Sequence, residues 1–189
     1  MRVAINGFGR IGRSVFRIMN ERSDIDVVAI NDLADNDALA YLLKYDTVMG
    51  RFKDTVNTEG DIMKTSSNTI KMLNQRDPSQ LPWTDLDIDV VVEATGIFRT
   101  RAALNQHLDA GAKRVILTVP AKEDIDNMVV IGVNDDTLIS EHKLISNASC
   151  TTNCLAPMAK ILQDNFGIEN GVINTIHAYT NDQRLADVP

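Results

Sequence analysis

Short apolar runs alternate along this chain with stretches whose apolar positions recur at helical spacing. Arg2–Asn6 is the first run, and a glycine-rich turn follows it. Ile11, Val15, Ile18 and Met19 then recur with a helical period. Residues 27–30 predict a second strand, and Asp35 is placed to cap a helix holding Leu39, Leu42 and Leu43. Residues 51–75 are polar, with turn signals at Glu59-Gly60-Asp61 and Ser66-Ser67-Asn68 that predict small antiparallel hairpins. Residues 89–93 hold three consecutive valines, which suits a strand covered on both faces. Residues 102–110 read as a helix ended by Gly111. Residues 115–118, 128–132 and 144–146 read as further strands. A helix is expected from about Ser149 to Phe166, stopped by Gly167, and residues 171–180 read as a long strand. This rhythm predicts an α/β fold with a doubly wound parallel sheet.

Composition narrows the classes. The 189 residues suffice for one full domain and the start of a second, and 44% apolar content supports a real core. The net charge of −7 and the absence of a basic run argue against nucleic acid as a partner. Lys113-Arg114 and Arg99-Thr100-Arg101 are the densest basic spots and read as solvated surface. Two cysteines do not make a disulfide framework. Asn6, Gly7 and Arg10 interrupt the N-terminal apolar run before a signal peptide could build, and no stretch reaches the length of a membrane span. No membrane is expected, and a reducing cytoplasm is the expected location.

Gly7-Phe8-Gly9-Arg10-Ile11-Gly12 fits G-x-G-x-x-G between a strand and an amphipathic helix. In that setting the first glycine permits the tight turn and the second lets the backbone approach a pyrophosphate. The third lets helix and strand pack, and the phosphates sit at the helix N-terminus. Asp32 stands where such a fold wants a carboxylate, at the end of the second strand. It would accept hydrogen bonds from ribose hydroxyls and repel an added 2′-phosphate, so NAD is expected rather than NADP. The fold class is therefore Rossmann-type.

Both cysteines lie in SNASCTTNC, residues 146–154. A zinc site is disfavoured, because His107, His142 and His177 are the only histidines and no C-x-x-C occurs; no metal is expected. A redox pair is disfavoured, because side chains four apart on a helix are poorly set for bridging. A nucleophile has a mechanism. Cys150 falls in the first turn of the expected helix, where the positive end of the dipole stabilises a thiolate. Thr151 and Thr152 add hydroxyls and N–H groups. Cys154, one turn deeper, reads as a buried small hydrophobe. His177 lies on the expected strand at 171–180, where a general base and a satisfied core histidine are equally good readings.

NGFGRIGR at 6–13, Asn31-Asp32, YDTVMGRF at 45–52, EATGIF at 93–98, ASCTTNCLAP at 148–157 and HAYTNDQ at 177–183 together resemble phosphorylating glyceraldehyde-3-phosphate dehydrogenase. The resemblance runs from the first residue to the last. It implies that Cys150 attacks the aldehyde of glyceraldehyde 3-phosphate and that His177 activates the thiol and takes the hydroxyl proton. NAD would accept the hydride, and inorganic phosphate would cleave the thioester to give 1,3-bisphosphoglycerate. It further implies that Arg10 and Ile11 place backbone groups at the pyrophosphate and that Asp32 holds the adenosine ribose. Arg76 would lie near the adenine, and Thr95, Gly96 and Thr118 would line the nicotinamide half. Ser149, Thr151 and Thr180 would contribute to the two phosphate sites. A homotetramer is implied for the full-length enzyme. Erythrose-4-phosphate dehydrogenase is the close alternative, and residues 178–183 look like the glyceraldehyde enzyme instead. Residues 185–189 resemble the NAD-preferring members.

The resemblance divides the chain into an NAD-binding domain at 1–148 and the beginning of a second, α+β catalytic domain at 149–189. Family members are longer, and their later phosphate-gripping arginines and nicotinamide-fixing asparagine lie beyond Pro189. The expectation is that the 189-residue chain alone is inactive, as a truncated NAD-binding fragment would be.

Overall fold

The computed structural model describes residues 1–180. It falls into two units, one of residues 1–157 and a second that begins at residue 158.

The first unit is built on a sheet. Its strands are β1 (Arg2–Asn6), β2 (Asp26–Asn31), β3 (Asn57–Glu59), β4 (Ile62–Lys64), β5 (Thr69–Leu73), β6 (Val90–Glu93), β7 (Arg114–Leu117), β8 (Asn127–Met128) and β9 (Leu144–Ser146). Among the described residues they form one nine-stranded sheet in the order β3-β4-β5-β2-β1-β6-β7-β9-β8. From β5 to β8 every neighbour is parallel, and β3, β4 and β5 make the expected antiparallel hairpins at one edge. The helices are α1 (Arg10–Met19), α2 (Asn36–Lys44), α3 (Arg101–Asp109) and α4 (Cys150–Phe166). β1 lies between β2 and β6, so the chain winds outward in both directions from it. That reversal opens a crevice at the carboxyl ends of the strands, where such folds place ligands.

The period-two alternation sorts the core onto two faces. Val3, Ile5, Ile30, Val90 and Val92 pack with Phe16, Leu39 and Leu43 on one side. Ala4, Ala29 and Val91 pack with Leu81, Trp83 and Ile88 on the other. Leu104, Val115, Leu117 and Leu144 form a third cluster, which anchors α3. β6 is buried at all four residues, as a strand with both faces covered requires. The caps are local. Asp35 Oδ1 accepts the Ala38 N–H at 2.9 Å to start α2, and Thr100 Oγ1 accepts the Ala103 N–H at 3.3 Å to start α3.

Two strand expectations change. The run at 128–132 is a strand only through Met128. Asn134 Oδ1 accepts the Val130 N–H at 2.8 Å, and Asn134 Nδ2 donates to the Met128 carbonyl at 2.9 Å. These side-chain bonds compete with the ladder and turn the chain out of the sheet. The second change lies in the other unit. Residues 171–180 form no strand and are exposed throughout. Strand character alone does not make a strand, because a ladder needs a pairing neighbour. In that unit the described residues comprise the last part of α4 and an irregular segment after Gly167, whose φ of 72° ends the helix.

Candidate active site

The glycine turn is shaped by close approach. Gly7 has φ of 91°, and a Cβ there would lie 2.7 Å from the Thr95 backbone nitrogen. A Cβ on Gly12 would lie 2.1 Å from the Gly7 carbonyl oxygen and 3.3 Å from Ile5 Cγ2, so helix and strand touch only because the side chain is missing. Around Gly9 nothing lies within 4 Å of such an atom. The middle of the turn therefore faces open space while its two ends are packed. Gly9 precedes α1 without a side-chain cap, and the first turn of α1 carries no acidic residue. Such a helix start is chemically suited to an anion. Arg13 is buried and donates from Nη1 to the Phe8 carbonyl at 2.9 Å, which braces the turn from behind. Arg10 pairs with Asp46 at 3.6 Å. The Met49 and Val48 N–H groups hold the Asp46 carboxyl below its ordinary range. The 45–52 motif is thereby linked to the start of α1.

The carboxyl ends of the central strands form a polar rung. Asn31, Asn6, Glu93, Leu117 and Ser146 stand in register across β2, β1, β6, β7 and β9. The four polar members are all buried. Asn31 Nδ2 donates to Asn6 Oδ1 at 2.7 Å, and Asn6 Nδ2 donates to Glu93 Oε2 at 2.6 Å. Asn31 Oδ1 accepts the Gln75 N–H at 2.8 Å, which tethers the segment entering the exposed Arg76. Asp32, one residue past the rung, accepts the Phe8 N–H at 2.7 Å and the Ala34 N–H at 3.0 Å.

On the other side of β1, Glu93 Oε1 accepts the Thr95 N–H at 2.8 Å and the Thr95 hydroxyl. Gly96 follows with φ of 72°, a conformation that favours glycine. Thr118 donates its N–H and hydroxyl to the Glu93 carbonyl at 3.0 and 3.2 Å. The structure thus brings Gly7, Gly9, Asp32, Thr95, Gly96 and Thr118 to the carboxyl ends of the central strands.

The thiol enters from β9. Ser146 Oγ accepts the Ala148 N–H at 3.0 Å, and Ala148 is held at φ of 62°, a strained value for a residue with a side chain. Ser149 Oγ then accepts the Thr152 N–H at 3.0 Å and caps α4. Cys150 is the first residue of that helix and is exposed. Asn153 Nδ2 donates to the Asn147 and Ser149 carbonyls at 2.7 and 2.9 Å, which clamps the junction. Thr151 is half-buried beside it. Cys154 is exposed, contrary to its reading as a packing residue, because no residue of α4 is buried.

His177 and Thr180 belong to the second unit and are exposed. The His177 ring Nδ1 faces the Ala178 carbonyl. Neither the strand nor the core reading of His177 holds, since the residue is neither in a ladder nor buried. The 181–183 part of its motif and the tail at 185–189 lie outside the described residues. Among the described residues, no group of three or more His, Cys, Asp or Glu is arranged to hold a metal ion, and no helix is long and apolar enough to cross a membrane.

Sequence reasoning missed Glu93, His107, Ala148 and Asn153. Glu93 and His107 are fully buried polar residues brought together by the packing of α3 on the sheet, which leaves no local signal. Asn153 could have been suspected from its place one turn past a serine cap.

A glycine turn open at its middle, a carboxylate held against it and a polar strand edge define a dinucleotide-binding α/β domain, here followed directly by a thiol at a helix start. A family model described as the NAD binding domain of glyceraldehyde 3-phosphate dehydrogenase matches residues 1–101. A second, described as that enzyme's C-terminal domain, matches residues 149–189. The chain belongs to the glyceraldehyde 3-phosphate dehydrogenase family, and its cofactor is NAD. It is 54% identical over 190 residues to glyceraldehyde-3-phosphate dehydrogenase of Thermotoga maritima, covering all of this chain and 57% of that protein. It is 53% identical over 194 residues to the enzyme of Borreliella burgdorferi, with the same coverage. It is 51% identical over 191 residues to glyceraldehyde-3-phosphate dehydrogenase 2 of Streptomyces avermitilis, again covering all of this chain and 57% of the relative. The chain thus spans little more than half the length of these relatives.

Proposed function

We propose that this chain supplies the cofactor crevice and the nucleophile for the NAD-dependent oxidative phosphorylation of D-glyceraldehyde 3-phosphate to 1,3-bisphosphoglycerate. One observation carries the reading: β9, in register with the strands that edge the crevice, leads through strained Ala148 and capping Ser149 directly to Cys150. Relatives more than 50% identical over the whole chain bear the name of that enzyme.

In this reading the Cys150 thiolate bonds to the aldehyde carbon and the carbonyl oxygen takes up a proton, giving a thiohemiacetal. His177 takes the hydroxyl proton as the C–H bond yields its hydride, and a thioester on Cys150 results. NAD, when bound, supplies the hydride acceptor. A phosphate oxygen then bonds to the acyl carbon, the carbon–sulfur bond breaks, and Cys150 leaves as thiolate. Sulfur suits both ends of this sequence, being a good nucleophile and a fair leaving group. A base that titrates near neutrality suits the proton steps.

The glycine turn from Gly7 to Gly12, with Arg10 and Ile11, takes the pyrophosphate. Asp32 takes the adenosine ribose, Arg76 stands at the adenine side, and Thr95, Gly96 and Thr118 line the nicotinamide half. Ser149, Thr151 and Thr180 serve the substrate and attacking phosphates. The chain divides functionally at 148/149. The full-length protein is a cytoplasmic homotetramer, by analogy with the family.

The test is NADH formation by the full-length protein carrying this sequence. Formation should require both glyceraldehyde 3-phosphate and inorganic phosphate, and Cys150→Ser should abolish it. Turnover that ignores phosphate, or that survives the Cys150 substitution, would refute the reading.

A further inference from the structure

Glu93 sits at the centre of a buried chain of hydrogen bonds that the reaction itself does not use. Its side chain is fully buried, as are those of His107 and Trp83. Trp83 Nε1 donates to His107 Nδ1 at 3.0 Å. An indole N–H can only donate, so His107 Nδ1 must accept, and the histidine's proton lies on Nε2. That nitrogen stands 3.1 Å from Glu93 Oε2, which also accepts from Asn6 Nδ2 at 2.6 Å. Oε2 is thus filled by two donors from behind. Oε1 is left for the Thr95 N–H and hydroxyl. The Thr95 hydroxyl in turn accepts the Ile97 N–H at 3.1 Å, which fixes its proton toward Glu93. Every partner of the carboxylate is therefore a donor.

We infer that Glu93 is a positioning residue for the nicotinamide half of the cofactor, held in its role by the Trp83–His107 pair. The inference rests on the proposed placing of Thr95 and Gly96 beside the nicotinamide. Glutamine at position 93 would keep the shape but offers one acceptor oxygen and one donor amide. Whichever way the amide turns, its N–H groups meet donors, either Thr95 or the Asn6–His107 pair. Trp83→Phe acts from the far end. It removes the bond that sets the histidine tautomer, so His107 Nε2 need no longer donate to Glu93.

The experiment is calorimetric titration of the full chain with NAD and with ADP-ribose, which lacks the nicotinamide. Wild type should bind NAD more tightly than ADP-ribose. Glu93→Gln should lose about tenfold in NAD affinity, and Trp83→Phe about threefold, with ADP-ribose affinity unchanged in both. Retained ADP-ribose binding shows that a variant is folded. If Glu93→Gln fails to fold, Trp83→Phe decides alone. Equal losses on the two ligands would make the network a support of the fold only and overturn the inference, as would unchanged NAD affinity. If wild type binds NAD no more tightly than ADP-ribose, the placing of Thr95 beside the nicotinamide fails first, and the inference fails with it.

Discussion

The Asp32 carboxylate accepts the backbone N–H of Phe8 from inside the glycine turn at 2.7 Å. One oxygen thus holds the turn and the other accepts the Ala34 N–H at 3.0 Å. Each keeps a further lone-pair direction for a ribose hydroxyl. Asp32→Ala removes a charged acceptor from the loop and, in the proposed placing, from the adenosine ribose. NAD affinity should fall by about 1.5–3 kcal/mol, roughly tenfold to a hundredfold. The NAD-to-NADP affinity ratio should fall too, because the charge that opposes a 2′-phosphate is gone. Titration with both dinucleotides checks this, and an unchanged ratio would remove Asp32 from the adenosine site.

How much of this was legible in the residues depends on range. Arg2–Asn6, the Asp35 cap and the valine strand were readable because their signals are local: alternation, a capping side chain, a β-branched run. The glycine turn was readable because sterics act within a few residues. What escaped depends on partners far along the chain. Glu93 meets Asn6 across 87 positions, so no window of sequence joins them. Cys154 was expected to be buried on the strength of its apolar neighbours, but burial needs a covering surface, and α4 is at most half-covered along its length. Residues 171–180 carried strand character without a pairing neighbour. Ala148 gave no sign of its strain, since alanine carries no marker of left-handed backbone.

That strain can be tested. Ala148 combines φ of 62° with 2% exposure two residues before Cys150. Glycine removes the steric penalty of about 1–2 kcal/mol, while its freer unfolded chain offsets part of the gain. Ala148→Gly should therefore lie within about 1 kcal/mol of wild type in denaturant unfolding. Ala148→Val adds a branch where positive φ is least tolerated, with no room for it. It should cost more than about 2 kcal/mol. A valine variant as stable as wild type would mean that the backbone relaxes out of this conformation at no cost.

Asp126 ties three elements together. Burial opposes its charge, but the Leu144 N–H, the Arg101 guanidinium and the Lys143 N–H outweigh that and hold the carboxyl at about 2, against an ordinary 3.8. Because the folded value is the lower one, the ionised form stabilises the fold. That contribution is complete above the ordinary value and is lost as pH falls from about 4 toward 2. The shift corresponds to about 2 kcal/mol at neutral pH. Asp126→Asn should lower stability by about that amount at pH 7 and flatten the loss of stability between about pH 4 and 2. Chemical denaturation across that range reads both effects. A variant whose acid sensitivity matches wild type would show that the bonds to Arg101 and β9 carry no such linkage.

Cys150 and Cys154 form an internal comparison because both thiols are exposed. Access therefore does not distinguish them, and any difference in rate must come from electronic environment. Cys150 opens α4, and the first turn contains no acidic residue to cancel the dipole. Cys154 lies one turn deeper, where the field of the helix end has fallen away. Alkylation proceeds through the thiolate, so the thiol that ionises more readily reacts faster at neutral pH. Iodoacetamide at pH 7 should label Cys150 at least about tenfold faster than Cys154, as read by peptide mass spectrometry over time. Thr152→Pro deletes the N–H that Ser149 caps, and it should reduce the neutral-pH ratio if the ordered helix start is the cause. Equal labelling of the two cysteines in the unaltered chain at pH 7 would leave no activated thiol at position 150.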